Sequence, residues 1–293
     1  MTVDFKNDWN EFLAKEMTEM GFKYDTQKSL EENTIRYFNA KRRIVSNKPR
    51  AIHESKELCV PSEHSGAYRD IKEIISHGRD IRPYLSRKTK DANDNDLLLN
   101  EWGIHHLHFS PERTKDVLFV RFTDTDAFII QALPHGLGNS DVWVNTLLIE
   151  ILNKNWPEII ARHKVVGISG EHLNTMERLN IRKSHANVAV NVSDGRCYAV
   201  PGGGIMASGA CFSDIVSCDK LFEELASWEE VVRANETNFR TALRISKTDP
   251  LLIKLMFEDQ ECWLYEPVRK VRFQLNCCDN QGIQMDTGCR PRG

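Results

Sequence analysis

Alternating apolar and polar residues in the middle of the chain predict a β-meander. Two apolar runs, at 116–122 and 127–133, are rich in β-branched and aromatic residues and are bounded by turn-forming residues. The stretch 102–109 alternates in the same way. Because sequential strands with short connections pair with one another, we expect residues 102–133 to form three adjacent antiparallel strands.

The period of two along 102–109 divides the side chains of this strand between two faces. His106 and His108 share one side, whereas His105 falls on the other, more apolar side, which is expected to face the core. His106 and His108 should therefore lie together on an open face. His135 follows the third strand and is expected close to them.

Helical periodicity and capping residues predict helices on both sides of the meander. Asp8 is expected to cap the first helix, and Ser29 with Glu32 forms a capping box for the second. Residues 46–65 are predicted to be a loop. Further helices are predicted near 66–77, 141–163, 212–225, 227–245 and 249–256. Closing strands are predicted near 262–265 and 271–275.

Two glycine-containing stretches in the second half of the chain predict turns or connections. Asp194-Gly195 lies between the alternating runs 187–192 and 196–200, which is a strong hairpin signal. The stretch Pro201-Gly-Gly-Gly204 matches neither the P-loop nor the dinucleotide-binding glycine pattern. A flexible connection is favoured for Gly202–Gly204 over a backbone site for anions.

The order of these elements favours an α+β fold. We expect an antiparallel meander flanked by helices, with a second mixed α/β region towards the C-terminus. A chain of 293 residues is long enough for one or two domains. The expected division is a helical N-terminal region (1–95), a histidine-rich meander plus helix as the catalytic core (96–165) and a C-terminal α+β region (166–293).

Composition narrows the classes of function. A net charge of −3 does not indicate a strongly basic nucleic-acid binder. No apolar run is long enough to span a bilayer, no signal peptide is recognised, and the eight cysteines include no Cys-x-x-Cys pair. We therefore expect a cytoplasmic protein with reduced thiols, no membrane association and no cofactor.

Four of the ten histidines lie in or just after the predicted meander. The usual zinc spacings and the His-Glu-x-x-His pattern are absent, so no metal ligands are assigned. Because histidine titrates near neutrality, two such residues could act as base and acid in phosphodiester cleavage without a metal. Arg113 and Arg121 could then stabilise the developing charge. The alternative is that these are hydrogen-bonded strand histidines with a structural role.

Two basic stretches are candidate contacts for a charged ligand. Arg87, Lys88 and Lys90 lie in the polar segment 86–95, although plain surface is favoured for this segment. Residues 41–43 are also basic and suit a helix C-terminus through the helix dipole. For 41–43 we expect a solvated last turn.

A histidine, an acid four residues later, an apolar strand and a second histidine follow one another in the segment 102–143. This pattern resembles the catalytic part of the RelE/YafQ-type endoribonuclease toxins. His108 matches the first histidine of that family, Glu112 the acid and His135 the second histidine. Trp143 matches the bulky aromatic residue that follows the second histidine in that family, but it lies farther along the chain than the family pattern has it. The rest of the chain resembles uncharacterised bacterial proteins.

This resemblance implies a metal-independent endoribonuclease in which a ribose 2′-OH attacks the adjacent phosphate. The matched histidines would be base and acid, the matched acid would orient one of them, and Arg113 or Arg121 would bind the phosphate. RNA would be the substrate, and a toxin or phage-defence role would bring a cognate antitoxin or another protein partner. Two alternatives stay open: a metal-dependent hydrolase or nuclease that uses His106, His108 and His135, and a non-enzymatic partner-binding protein.

Overall fold

A computed structural model describes residues 1–167, 173–258 and 261–274 of the chain. Over these residues it contains eight α-helices and ten β-strands, which confirms the α+β class. The chain divides into two compact units. One is formed by Met1–Thr34 and the described residues from Ser217 onwards, and the other by Ile35–Val216. The three segments expected from the sequence follow chain order, whereas these units are defined by spatial contact.

The helices are separated by turns, short 3₁₀ segments and strands. In chain order they are α1 (Phe5–Glu19), α2 (Leu30–Arg43), α3 (Ser65–Ser76), α4 (Leu97–Trp102), α5 (Leu147–Asn155), α6 (Thr175–Lys183), α7 (Phe212–Ala234) and α8 (Glu236–Leu243).

The strands form three sheets. The largest contains β1 (Ala51–Glu54), β2 (His105–His108), β3 (Asp116–Phe122) and β4 (Asp126–Pro134). A small sheet in the same unit contains β5 (Lys164–Val165), β6 (Val190–Asn191) and β7 (Cys197–Tyr198). The other unit contains β8 (Lys254–Glu258), β9 (Glu261–Glu266) and β10 (Val271–Gln274).

The large sheet confirms the predicted meander, because β3 pairs antiparallel with both β2 and β4. The first strand is shorter than predicted, since the residues before it form α4. Asp96 caps that helix by accepting a hydrogen bond from the Leu99 amide at 3.0 Å. Gly103, with φ of 69°, ends it in the left-handed conformation that glycine adopts readily. Strand β1, which pairs parallel with β4, lies in a stretch predicted to be a loop.

Both faces of the large sheet are buried, which makes the expected open face for His106 and His108 wrong. On their side, Ile104 and Phe119 pack with the apolar residues of α5 and with Trp143. The opposite side packs on α3 and the residues around it. His108 is consequently only 4% exposed. The division of side chains between the faces follows the predicted period of two.

At the N-terminus, the predicted capping box of Ser29 and Glu32 is confirmed by hydrogen bonds of 2.9 and 3.1 Å. The predicted cap of the first helix is wrong, because Asp4 caps α1 instead of Asp8. Asp8 lies within the helix, is buried, and accepts a hydrogen bond from the Leu255 amide at 2.8 Å. A carboxylate near a helix start suits either position, so the sequence did not separate them.

Three helix predictions in the second half are corrected. The helix predicted from Asp141 begins at Leu147, after a 3₁₀ segment, and α7 runs without interruption through Ser227. The stretch predicted as a helix at 249–256 leads into strand β8. Along it Leu251, Ile253 and Leu255 are buried, while the residues between them are less so. Such a short apolar run fits both periods.

The other predicted strands are confirmed. The Asp194-Gly195 turn joins β6 and β7, which pair antiparallel. The closing strands are β9 and β10, also antiparallel. Leu275, which the sequence placed at the end of the last strand, lies outside the described residues.

The glycine-rich stretch is a packed connection against the end of α4. The Gly202 amide donates to the Glu101 carbonyl and the Gly204 amide to the Asn100 carbonyl, both at 2.9 Å. A Cβ on Gly202 would lie 2.2 Å from the Leu99 carbonyl oxygen, which is far inside van der Waals contact. The absence of a side chain at this position is therefore required for close backbone packing.

We predict that Gly202→Ala lowers the free energy of unfolding by about 1–3 kcal/mol, the usual cost of overpacking. Gly66→Ala is the matched control, because Gly66 lies in α3 with no atom within 4 Å of the added Cβ. It should not lower stability, since alanine favours helix. Urea denaturation of both variants measures the effect, and equal stability of the two would contradict the packing argument.

Candidate functional site

A cavity of about 520 Å³ lies beside strand β2, within the unit formed by Ile35–Val216. Its lining includes His106 and His108 from β2, His135 just after β4, and Trp143 from the 3₁₀ segment before α5. The three imidazoles form a chain, with ring centroids 6.3 Å apart for His106 and His108 and 5.1 Å apart for His108 and His135. The Trp143 ring lies 4.9 Å from His106 and 5.6 Å from His135. The structure thus brings together the histidines that the sequence singled out.

His108 is held as a neutral ring. Its Nδ1 accepts a hydrogen bond from the Thr114 amide at 3.3 Å, so the neutral ring carries its proton on Nε2. Burial, and after it the nearby charge of Arg113, lower the pKa of His108 to about 4. At neutral pH this side chain is a hydrogen-bond donor through Nε2.

His106 faces a carboxylate. Its Nδ1 lies 3.5 Å from Oδ2 of Asp96, the residue that caps α4. This separation places the carboxylate beside the ring nitrogen but is too long for a well-formed hydrogen bond. Burial lowers the pKa of His106, and Asp96 opposes that effect. The carboxylate favours a proton on Nδ1, which leaves Nε2 as the proton acceptor.

His135 has the opposite backbone contact from His108. Its Nδ1 donates to the Lys115 carbonyl oxygen at 2.6 Å, because a carbonyl can only accept. The His135 amide donates to the same carbonyl at 2.8 Å. The ring is half-buried. With the proton on Nδ1, Nε2 is the acceptor nitrogen of the neutral ring. Adjacent backbone groups at 114 and 115 therefore set the proton positions of two cavity histidines.

Charged side chains surround these rings. Arg43, Lys88, Arg182 and Lys183 line the cavity, together with the carboxylates of Asp94 and Asp96. Four cations against two anions leave the lining positive, which suits an anionic ligand. The buried arginines are already engaged, whereas Lys88 and Lys183 are exposed. Lys88 Nζ also lies 3.5 Å from Oδ1 of Asp94.

The arginine pairs fix the cavity walls. Arg43 at the end of α2 lies 3.5 Å from Asp94 and donates to the Lys88 carbonyl at 3.1 Å. It is 2% exposed, so the expected solvated turn is wrong for Arg43, whereas Lys41 is exposed as expected. Arg182 forms an ion pair with buried Glu101. The polar segment 86–95 is thus anchored as one wall of the cavity.

The remaining predicted residues are placed differently. Arg121 is buried and donates to the carbonyls of Trp102 and Pro201 at 2.8 and 3.1 Å, which fixes backbone instead of lining the cavity. Burial lowers its pKa to about 10. Glu112 is exposed in the turn between β2 and β3 and is not a lining residue.

Among the predicted basic contacts, Lys88 lines the cavity directly. Arg113 lies close enough for its charge to lower the pKa values of His106 and His108, and the charge of Arg87 acts on Arg113 in turn. Lys90 is exposed in the same 3₁₀ turn as Lys88 but does not line the cavity.

Sequence reasoning missed Asp96, Arg182 and Lys183 as site residues, whereas it had considered the basic stretch 41–43, which contains Arg43, as a contact for a charged ligand. Asp96 had a usable signal, since an Asp directly before the apolar run Leu97-Leu-Leu99 is a typical helix cap. The others had none, because they come from helices distant in sequence from the meander. Their assignment required the fold.

Comparisons with known proteins found no matching protein-family model, no matching curated protein and no matching solved structure. The resemblance of residues 102–143 to RelE/YafQ-type toxins therefore depends on the quoted residues alone. No described helix combines the length and hydropathy needed to cross a membrane.

We predict that acidification destabilises the protein between about pH 6.5 and pH 4. Burial lowers the pKa of both His105 and His108 to about 4, against about 6.5 for an unperturbed histidine. In this window the unfolded chain binds more protons, so the free energy of unfolding falls as pH decreases. Each histidine should account for on the order of 2 kcal/mol between pH 7 and pH 5.

Urea denaturation at the two pH values measures this effect. His108→Gln removes one titrating group and should make the pH dependence shallower. Exposed His77 is the matched control, and His77→Gln should leave the dependence unchanged. The same pH dependence in His108→Gln as in the wild type would contradict the assignment.

Proposed function

We propose that the cavity is the active site of a metal-independent endoribonuclease. The observation that carries the proposal is the meeting of His106, His108 and His135, with different proton positions, in one positively lined cavity. Phosphodiester cleavage by a 2′-OH needs a proton acceptor, a donor to the phosphoryl oxygen and a proton donor to the leaving group. Each of the three rings suits one of these roles.

In the proposed reaction, Nε2 of His106 accepts the proton of the ribose 2′-OH. Asp96 orients this ring and stabilises the imidazolium that forms, as a carboxylate does for a catalytic histidine. The 2′ oxygen attacks the adjacent phosphorus and the bond to the 5′ oxygen breaks. The leaving oxygen takes a proton from Nε2 of protonated His135. The products are a 2′,3′-cyclic phosphate and a 5′-OH.

Neutral His108 has an electrostatic role in this scheme. Because its Nδ1 accepts from the Thr114 amide, its Nε2–H is available as a donor. In the proposed reaction this N–H donates to a phosphoryl oxygen and stabilises its negative charge. Its lowered pKa keeps it in this form across the physiological range. Asp96 thus takes the orienting role that the resemblance gave to Glu112.

Substrate binding would use charge and stacking. Lys88 and Lys183 provide exposed cations on the lining, and Arg113 adds charge near the rings. The indole of Trp143 is half-buried beside two of the imidazoles, where a base could stack on it. A single-stranded segment of RNA fits these requirements better than a duplex, since its bases are open to stacking.

The biological setting of the proposal comes from the resemblance to RelE/YafQ-type toxins. A toxin or phage-defence role, with a cognate antitoxin or another protein partner, is proposed on that basis. Cleavage of RNA and the ends of its products separate the proposal from a metal-dependent hydrolase and from a non-enzymatic partner-binding protein.

We predict that His106→Gln and His135→Ala each lower the rate of RNA cleavage by about 10²-fold or more, the usual contribution of a positioned base or acid. The control is His53→Gln. His53 lies in the same sheet but pairs with Asp126 at 2.7 Å and does not line the cavity. Its replacement should leave the rate unchanged. Rates are compared with melting temperatures, and full activity in either cavity variant would refute its assigned role.

We predict further that cleavage requires the 2′-OH. An oligonucleotide with a single 2′-deoxy nucleotide 5′ to the cleaved bond should be resistant there, and the cleaved RNA should end in a 2′,3′-cyclic phosphate. Mass spectrometry of the fragments reads both features. Products with 5′-phosphate ends would favour a metal-dependent hydrolase, and absence of cleavage across a diverse RNA pool would favour the partner-binding function.

A further inference from the structure

A second cluster of metal-ligating side chains lies outside the cavity, where strand β3 begins. Among the described residues, Glu63, His64 and Asp116 bring three ligand atoms within 4.8 Å of one another. Nε2 of His64 lies 3.2 Å from Oδ2 of Asp116. None of the three residues lines the histidine cavity. The cluster is therefore separate from the proposed RNA site.

The spacing of these atoms fits a bound ion. Two ligand atoms that share a tetrahedral ion at about 2.0–2.1 Å lie about 3.4 Å apart. The separation between His64 and Asp116 is close to this value. Glu63 is exposed, so its carboxylate can approach by side-chain rotation alone. A small adjustment thus completes a three-ligand set with open positions for water.

The two inner ligands are held in place by their surroundings. The His64 ring stacks on Phe109 at 4.5 Å with an interplanar angle of 6°. Asp116 pairs with Pro134 in the sheet, and its carbonyl accepts from the Thr114 hydroxyl at 2.6 Å. Both side chains are about four-fifths buried. Such support around a ligand favours metal affinity.

Charge gives an independent reason for a cation here. The cluster contains two carboxylates and one imidazole, and like charges this close repel each other. A divalent ion would neutralise both. The imidazole selects for transition metals, because magnesium and calcium prefer oxygen ligands only.

We propose that Glu63, His64 and Asp116 form a binding site for a divalent transition-metal ion of the zinc or manganese type. The site joins the start of α3 to the start of β3. It lies next to residues 114–115, whose backbone contacts His108 and His135. Ion binding would tie this segment to the neighbouring helix.

The test uses the full chain after removal of metal with a chelator. Calorimetric titration with ZnCl₂ and MnCl₂ should show a site that MgCl₂ does not fill, and the ion should raise the melting temperature. Glu63→Gln, His64→Gln and Asp116→Asn should each weaken that site by about 10-fold or more. Glu63→Gln keeps the test valid if an inner variant fails to fold, because Glu63 is exposed.

The matched controls are His53→Gln and His106→Gln. His53 is a histidine–carboxylate pair in the same sheet, and His106 tests whether the cavity holds the ion. Retained affinity in both controls, with loss in the three cluster variants, is the expected result. Unchanged affinity in Glu63→Gln and His64→Gln, loss of binding in His106→Gln, or no binding of either metal would overturn the proposal. Because the readout is metal affinity, it is independent of RNA cleavage.

Discussion

A buried ion pair between Glu101 and Arg182 holds the cavity together. Glu101 lies in the last turn of α4 and Arg182 in α6, so the pair connects two helices through residues that are 81 positions apart. The guanidinium also donates to the Trp143 carbonyl and lies 4.2 Å from the Trp102 ring centroid. Removal of one partner from a buried pair typically costs 3–5 kcal/mol, because a charge stays buried without compensation. The position of Trp143 against the imidazoles therefore depends on this contact.

The same pair explains the electrostatic character of the site. Arg182 contributes charge to the lining, but its Nε and Nη1 already donate to Glu101 and to the Trp143 carbonyl. The charge that a ligand can use comes chiefly from exposed Lys88 and Lys183. The buried arginines define the shape of the cavity, and in the proposed function the exposed lysines bind the phosphates of the substrate.

Local patterns predicted the elements that depend on local chemistry. The meander, the Ser29–Glu32 capping box and the Asp194-Gly195 hairpin all follow from neighbouring residues, and each was predicted from the sequence. The helix predicted before β8 was wrong because the apolar run there fits a helix as well as a strand. Pairing with β9 decides between the two. Strand β1 was not predicted because its parallel partner, β4, is distant in sequence.

The residues of the candidate site also fall into those that local patterns predict and those that only the fold reveals. His106, His108 and His135 were predicted because the meander brings them together, whereas Arg43 and Lys183 come from helices outside it. Proton positions on the rings could not be predicted either, since they depend on single backbone contacts.

Those backbone contacts affect how substitutions in the sequence relate to the chemistry of the site. The Lys115 carbonyl, not its side chain, binds Nδ1 of His135. A substitution of Lys115 that leaves the turn undistorted would keep this carbonyl in place. A position that fixes a tautomer in this way can drift freely in evolution, and a mutational scan would score it as neutral. The tautomer of a site histidine therefore depends partly on the conformation of the main chain, which a comparison of side chains does not detect.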